Sequence, residues 1–406
     1  MPTFRDFRRL FPADSSDPAG YWLYAGHLLA VWALAASNAF LGLTILWSGR
    51  QAWRGKLRWR WREHGAVLAP AGVYLALLFV SVAFSYDPAA SAEELREVFS
   101  LLTLGLGAVL VRGERDVRRL FSLLIVMAAA LAAAGAVQYY FTDYGTLHKR
   151  IPGPFSHYQT FAGVLLVGFF LVLGRIVSSR RASWHWLALA TIVWTLFLTL
   201  TRGSWVAAAV TVTAYVLVRA RRYFTAYLAA AVLATALVVV LVPATGERIR
   251  SIADVRDSSN YDRLCMLRAG LDMVAERPLF GLGPGMVEER YPIYRHPTAP
   301  RFTVPHLHNA FLQLAAERGL TSLAAYLWLM AAGGWTAWRA YRREGGARGG
   351  RADLYAGVLL ALVGFNLAGL FEDNWSDTEV RRLVLFLLAV PLCLGQSEGT
   401  RSEERA

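Results

Sequence analysis

A polar stretch between apolar segments contains the residue types that acid–base chemistry requires. Residues 301–320 read R-F-T-V-P-H-L-H-N-A-F-L-Q-L-A-A-E-R-G-L, so His306 and His308 lie two positions apart and Asn309 follows them. A neutral imidazole is a natural general base near neutral pH. We therefore expect a histidine of this stretch to take part in proton transfer.

Cationic residues recur in three other short sequences. Arg202 lies in T-L-T-R-G-S-W, Arg263 and Arg268 lie in R-L-C-M-L-R-A-G, and Lys149 and Arg150 lie in L-H-K-R-I-P-G-P-F-S-H. Guanidinium groups pair well with phosphate oxygens. Because no cluster has clear metal-ligand spacing, we expect arginines to replace a divalent cation in neutralising a departing diphosphate. The set predicts a transferase that acts on a lipid diphosphate and needs neither a metal nor a cofactor.

Each of these residues also has a structural interpretation. An interfacial arginine can simply extend its charge to lipid headgroups. A lone histidine beside an apolar helix is more often structural than catalytic, and we prefer that interpretation for His157, His296 and His306. Glu372 and Asp373 could form a carboxylate site, but their acidic loop favours a solvated face.

The composition indicates that these residues belong to a membrane protein. Of the 406 residues, 56% are hydrophobic and 17% are charged, whereas about 25% charged residues is usual in soluble chains. Apolar runs such as Thr225–Val242 and Ala356–Leu370 approach the ~17–25 residues that cross a bilayer as a helix. The net charge of +13 fits basic cytoplasmic loops better than nucleic-acid binding. The sequence therefore predicts an all-α polytopic membrane protein.

Hydropathy predicts about twelve transmembrane helices. They lie at residues 20–36, 38–56, 66–84, 94–112, 117–140, 154–177, 183–200, 203–219, 222–243, 320–341, 354–371 and 378–395.

The loops between these helices alternate in charge. Segments such as Arg50–Arg62 and Arg339–Arg351 are strongly basic, whereas the charged residues of Tyr86–Glu94 are acidic. Basic loops mark the cytoplasm, so both termini are expected there. The stretch Tyr21–Trp47 could be one long helix, but a hairpin broken near Ser37-Asn38 agrees better with the basic N-terminus.

One large hydrophilic insertion interrupts the apolar pattern between residues 243 and 319. It is rich in Leu, Met, Phe and Tyr, so we expect short helices that pack over the bundle on the external side. The predicted organisation is transmembrane helices in 1–243, an external loop domain in 244–319, further transmembrane helices in 320–395 and a flexible cytoplasmic tail in 396–406.

Four segments together resemble the O-antigen ligase/polymerase superfamily. His308-Asn309, nine further residues and Gly319 resemble its H-[NSQ]-x9-G signature, and T-R-G-S-W resembles its external S/T-R-G turn. The stretch Arg263–Gly285 resembles its arginine, amphipathic helix and P-x-x-G-x-G pattern, and R-I-P-G-P-F-S-H resembles the start of its sixth span. The family often continues G-x-x-G-T-T, where this chain has G-L-T-S. The resemblance covers residues 147–394.

The resemblance implies a GT-C-like fold in the bacterial inner membrane, with an active site facing the periplasm. The ligase subgroup transfers O-antigen from undecaprenyl diphosphate to a sugar of the lipid A–core oligosaccharide. Arg202, Arg263 and Arg150 would then bind the diphosphate, and His308 would deprotonate or orient the acceptor hydroxyl. Asn309, Lys149, Arg268 and His306 would have supporting roles.

Spacing favours His308 over His306. If a helix starts at Leu307 and His308, positions i and i+2 point apart, so His306 should not share the site.

An O-antigen polymerase usually has two large external loops, and a protein O-oligosaccharyltransferase is usually longer, so both rank behind a ligase. A lipid-linked oligosaccharide transporter should carry charges deep in its bundle, and these apolar segments hold few.

Overall fold

The computed structural model describes residues 17–57, 61–144, 146, 149–178, 183–251, 258–346 and 349–403. Over these ranges the regular structure is helical and no β-strand occurs. The all-α class predicted from the composition is therefore confirmed. In chain order the helices are α1 (Pro18–Leu29), α2 (Leu34–Trp53), α3 (Trp61–Ala83), α4 (Pro88–Ala92), α5 (Glu97–Leu110), α6 (Gly113–Phe141), α7 (Tyr158–Ser178), α8 (Ser183–Leu198), α9 (Arg202–Arg219), α10 (Phe224–Leu241), α11 (Pro243–Arg250), α12 (Ser258–Glu276), α13 (Met286–Tyr294), α14 (Ala310–Arg343), α15 (Ala352–Gly369) and α16 (Thr378–Glu403).

Each of the predicted transmembrane segments contains a helix, and five of these helices within the described ranges are long and apolar enough to cross a membrane. These five stretches are His64–Ala83, Gly113–Phe141, Tyr158–Val177, Arg221–Leu241 and Ala352–Gly369. Helix α8 is apolar but shorter. The pattern is that of a polytopic helical membrane protein.

The N-terminal hydrophobic stretch forms two helices, but the break differs from the predicted one. Helix α1 ends at Leu29 and α2 begins at Leu34, so the turn precedes Ser37-Asn38. Ser37 is instead buried inside α2, where it binds the His27 ring and backbone carbonyl. The 12 residues of α1 rise about 18 Å, which is less than a ~30 Å hydrocarbon core. The first predicted span is therefore shorter than its 20–36 range.

The hydrophilic insertion folds into short helices with a hydrophobic core of its own. Helices α12 and α13 and the first turns of α14 surround this core, which is separate from the main core of the bundle. The fully buried members include Met266, Met273, Val287 and Tyr291. This second core gives the loops that carry the polar motifs a rigid support.

Helix α14 changes direction at Gly319, which joins the insertion to the bundle. Gly319 has φ 78° and ψ 168°, a backbone conformation that favours glycine. Leu320 N–H donates to Pro278 O at 2.7 Å, and a Cβ on Gly319 would overlap the Leu279 carbonyl. The glycine that closes the H-N-x9-G pattern thus permits close contact between α14 and the loop after α12.

Candidate active site

Glu372 lies at the centre of the candidate site. Its Oε1 atom accepts hydrogen bonds from His308 Nδ1 at 2.8 Å and from His306 Nε2 at 3.0 Å. Arg263 NH2 lies 3.7 Å from the other carboxylate oxygen. The Glu372 side chain is 13% exposed, so the predicted solvated face is wrong for this residue. Asp373 is buried as well.

The ionisation of Glu372 fixes the proton positions on both imidazole rings. Burial raises the pKa of Glu372, but the neighbouring His308 and His306 outweigh it and hold this pKa well below its usual value. An ionised carboxylate only accepts hydrogen bonds, so His308 Nδ1 and His306 Nε2 must both carry protons. In neutral His308 this leaves the lone pair on Nε2, which is the atom that can accept a proton from a substrate.

The two histidines reach the same carboxylate because the helix starts later than the sequence predicted. Asn309 caps α14, and its Oδ1 accepts the N–H groups of Phe311 at 3.1 Å and Leu312 at 3.0 Å. His306 and His308 therefore lie before the helix, and their ring centroids are 4.4 Å apart. The argument that separated them by i, i+2 helical geometry is wrong.

Backbone strain is concentrated beside the candidate site. Across the described residues, the non-glycine residues with positive φ are His308 at 51° and Leu200 at 55°. Leu200 precedes the T-R-G turn that contains Arg202. Such conformations cost about 1–3 kcal/mol each and often occur where function requires a defined side-chain direction.

The predicted diphosphate ligands line one narrow cavity next to Glu372. Arg150, Arg202 and Arg263 all contribute to its wall, together with Arg248, which the sequence reasoning did not identify. Arg248 belongs to α11, directly after the apolar α10, and a fourth arginine at the start of the insertion was the available signal. Four guanidinium groups on one cavity make it a strongly cationic environment.

Neighbouring groups orient these arginines. Arg202 NH1 donates to Ser251 O and Oγ, both at 2.8 Å, and its NH2 donates to Asn260 Oδ1 at 2.8 Å. Arg150 lies over the Tyr158 ring with its Cζ atom 4.6 Å from the centroid. The guanidinium groups of Arg202 and Arg150 are thus held in place by their neighbours.

Several other predicted residues have different surroundings. Lys149 is paired with the exposed Asp143, and Arg268 is exposed on α12; neither lines the cavity. His296 is exposed and bonds to Thr298, two residues away. His157 is exposed as well, but it interacts electrostatically with Glu372, His306 and His308 and so lies near the cluster.

Asn309 supports the site through the backbone. Besides capping α14, its Nδ2 donates to Leu370 O at 3.2 Å, two residues before Glu372. This bond ties the histidine loop to the carboxylate loop.

The histidine–glutamate cluster also has the composition of a metal site, which the sequence did not predict. The ligand atoms of His306, His308 and Glu372 all lie within 4.8 Å of one another. However, ligands of a tetrahedral metal with bonds near 2.0–2.1 Å lie about 3.3 Å apart. The separations of 2.8 and 3.0 Å to Glu372 Oε1 are those of hydrogen bonds.

A known protein family matches the part of the chain that contains several of these residues. The helices define a polytopic membrane protein, and its site combines a cationic cavity with an imidazole–carboxylate cluster. Residues 187–327 match the family model described as O-antigen ligase, and this match supports membership of the O-antigen ligase superfamily. The matched region contains Arg202, Arg263 and His308 but neither Arg150 nor Glu372. No curated protein matches the chain.

Proposed function

We propose that this protein is an O-antigen ligase. It would transfer O-antigen from undecaprenyl diphosphate to a sugar hydroxyl of the lipid A–core oligosaccharide, on the periplasmic side of the bacterial inner membrane. The observation that carries the proposal is the position of His308: it is bound to Glu372, which itself lines the cavity formed by four arginines. Glu372 thus connects the candidate base to the cavity that the candidate diphosphate ligands line.

The proposed reaction is a single displacement at the anomeric carbon. The acceptor oxygen attacks that carbon, its proton passes to His308 Nε2, and the bond from carbon to the phosphate oxygen breaks. The leaving undecaprenyl diphosphate takes the electron pair, and Arg150, Arg202, Arg248 and Arg263 stabilise its charge. Attack opposite to the leaving group inverts the configuration.

Glu372 would serve this reaction by orienting His308. A carboxylate that accepts from Nδ1 selects the tautomer with a free Nε2 and stabilises the imidazolium that forms. Arg263 lies between both functions, since it lines the cavity and faces Glu372 at 3.7 Å. Arg263 can move towards the diphosphate without leaving Glu372 unpaired, because His306 and His308 still bond to that carboxylate.

The proposal includes a topology of about twelve spans, the first of which has a helix shorter than the hydrocarbon core, with both termini in the cytoplasm and the 244–319 loop domain in the periplasm. Five apolar helices and the second core of the insertion support it. In intact cells, a membrane-impermeant thiol reagent should label a cysteine introduced into the loop domain. A cysteine introduced into the basic segment Arg339–Arg351 should be labelled only after the membrane is permeabilised.

A purified ligation assay tests the proposed activity. The protein is mixed with lipid A–core and an undecaprenyl-diphosphate glycan, with and without excess EDTA. We expect ligation that the chelator leaves unchanged. Loss of activity in EDTA that Mn²⁺, Mg²⁺ or Zn²⁺ restores would replace the metal-independent mechanism with one in which His306, His308 and Glu372 bind a metal.

An O-antigen polymerase would use the same donor and is the second candidate. The described chain has one long insertion that carries helices, between α10 and α14, and this favours the ligase. Elongation of the undecaprenyl-linked glycan in the absence of lipid A–core would support the polymerase.

A further inference from the structure

A second and larger cavity lies on the other side of the segment that contains Glu372. Its volume is about 640 Å³, and its walls come from α2, the start of α5, the start of α7 and the start of α16. Cavities of roughly 300–1,000 Å³ are typical of small-molecule sites. None of the four arginines of the first cavity contributes to it.

The two cavities share their dividing wall. Tyr158 and Gln159 face the arginine cavity, whereas Ser156 and Thr160 face the second cavity. Likewise, Glu372 and Asn374 line the first cavity, and residues 376–379 line the second. A ligand in the second cavity would therefore lie next to the segment that holds the candidate catalytic cluster.

The second cavity contains two buried arginines. Arg382 is 3% exposed and donates to Ser37 Oγ at 2.7 Å and to Asn38 Oδ1, both of which are uncharged. Arg381 is 4% exposed and lies 3.6 Å from Glu97. The Nε atoms of both arginines lack a hydrogen-bond partner among the described residues.

The carboxylates around this cavity compensate these charges incompletely. Glu97 also pairs with Arg318 at 2.6 Å, so it is shared between two cations. Glu94 is paired with the exposed Arg96 at 2.8 Å. Burial, Glu379 and Glu372 raise the pKa of Asp377 to about 8, so this carboxyl is mostly protonated at neutral pH. Glu379 is the remaining carboxylate of the wall, and it forms no ion pair within 4.0 Å of Arg382 in the described structure.

Part of the cavity wall is apolar. Leu34, Leu41 and Phe99 line it; Leu41 is buried, whereas Phe99 is 57% exposed and Leu34 39% exposed. A buried cation is costly without an anionic partner, whereas exposed apolar residues suit a hydrocarbon chain. The cavity thus combines hydroxyl and guanidinium donors with an apolar part of its wall.

We propose that this second cavity binds the acidic saccharide head group of the acceptor glycolipid, with Arg382 and Arg381 pairing with its anionic substituent. The inference rests on the proposed ligase function and assigns its second substrate to a site. The donor would occupy the arginine cavity, and the acceptor hydroxyl would reach His308 across the shared wall.

The chain offers a matched pair of variants for the test. Gly42 lines the second cavity and Gly49 lines a separate apolar cavity on the same helix. An added Cβ meets no atom within 4 Å at either position, so Gly42→Leu and Gly49→Leu should both fold. We expect Gly42→Leu to raise the KM for lipid A–core by about tenfold or more by occupying the site, with the donor KM unchanged. Gly49→Leu should change neither constant.

Binding measured without turnover separates the two proposals. Fluorescent lipid A–core in detergent should bind the wild type and Gly49→Leu equally and Gly42→Leu more weakly. Arg382→Gln should weaken this binding and reduce its salt dependence. The thermal stability of this variant is measured in parallel as a control for folding. Wild-type binding of lipid A–core without ligation would overturn the ligase proposal but not the cavity assignment. Unchanged acceptor binding in Gly42→Leu, or a raised donor KM, would overturn the assignment.

Discussion

Two carboxylates near opposite ends of α15 each gather basic side chains, but the partners differ in kind. Asp353, in the first turn of α15, accepts hydrogen bonds from Arg118 NH1 at 2.6 Å and from Arg175. Guanidinium groups stay protonated at any physiological pH. The Asp353 cluster therefore has a fixed charge and fastens α6, α7 and α15 together.

Glu372, three residues after α15 ends, has imidazoles as its closest partners. An imidazole, unlike a guanidinium group, has a neutral form that can accept a proton, and Arg263 lies 3.7 Å from Glu372. One carboxylate therefore gathers fixed charges at one end of the helix, and the other gathers the groups that we propose exchange protons. The comparison indicates that the type of partner, more than the burial of the carboxylate, decides whether such a cluster is suited to a structural role or to proton transfer.

The strongest test of this difference is His308→Ala. If His308 accepts the hydroxyl proton, its removal should reduce the ligation rate by about 10²–10⁴-fold, with donor binding retained. The rate is measured on purified protein and normalised to the amount that elutes as folded material. A loss below tenfold would mean that the imidazole cluster is structural, like the Asp353 cluster.

Isosteric neutralisation of both carboxylates compares the clusters directly. Glu372→Gln removes the charge that orients His308, and we expect roughly a 10–100-fold loss of rate because outer partners of a functional histidine commonly matter by this factor. Asp353→Asn should leave kcat and KM unchanged. It should instead lower the free energy of unfolding, which a lower unfolding temperature would show. The loss should be below the roughly 3–5 kcal/mol that breaking a fully buried pair costs, because Arg118 also bonds to Glu114. A reversed pattern would contradict the assignment of roles.

The titration of His306 compares the same two variants. Burial lowers the pKa of His306, but its hydrogen bond to Glu372 and the Glu372 charge outweigh this and raise it. Removal of that charge in Glu372→Gln should lower the pKa of His306, so in an NMR titration its imidazole should lose its proton at lower pH than in the wild type. Asp353→Asn should leave this titration in place. A shift to higher pH in Glu372→Gln would show that Glu372 does not stabilise the protonated form of His306.

Replacing an arginine while keeping its charge tests the cavity. Arg202→Lys should reduce activity by about tenfold or more, since an ammonium cannot form the two-point contact of a guanidinium with phosphate oxygens. Lys149→Arg, outside the cavity, is the control and should be neutral. Near-native rates for Arg202→Lys would indicate an arginine that only fastens α9 to Ser251 and Asn260.

The smallest effect is expected for His306→Ala. Glu372 would retain His308, so we expect a loss of less than about tenfold, below the effect of removing a general base. A loss equal to that of His308→Ala would make the two imidazoles one functional unit.

Residue type and local spacing predicted several cations that the structure brings together. Arg150, Arg202 and Arg263 were predicted from unusual cations beside apolar segments, and they line one cavity with Glu372. The helices followed from hydropathy, because a span of apolar residues must satisfy its own backbone hydrogen bonds in a bilayer.

The missed features depend on contacts between distant segments. Glu372 meets His308 across 64 residues, and periodicity within a helix contains no information about such a pair. The desolvation of Glu372 and Asp373 was likewise invisible in an acidic loop that reads as solvated. The pairing of His306 with His308 was missed because the start of α14 was placed about two residues too early.

The Gly319 junction affects how genetic data on this protein should be interpreted. Any side chain at this position would overlap the Leu279 carbonyl, so nearly every substitution should damage folding. If the proposed function holds, a saturation scan scored by surface polysaccharide would consequently rank Gly319 with His308, although the glycine has no side chain that could contact a substrate. Both ends of the motif would then be intolerant to substitution, Gly319 because of folding and His308 because of activity. Measuring protein abundance beside the activity score would distinguish these two causes.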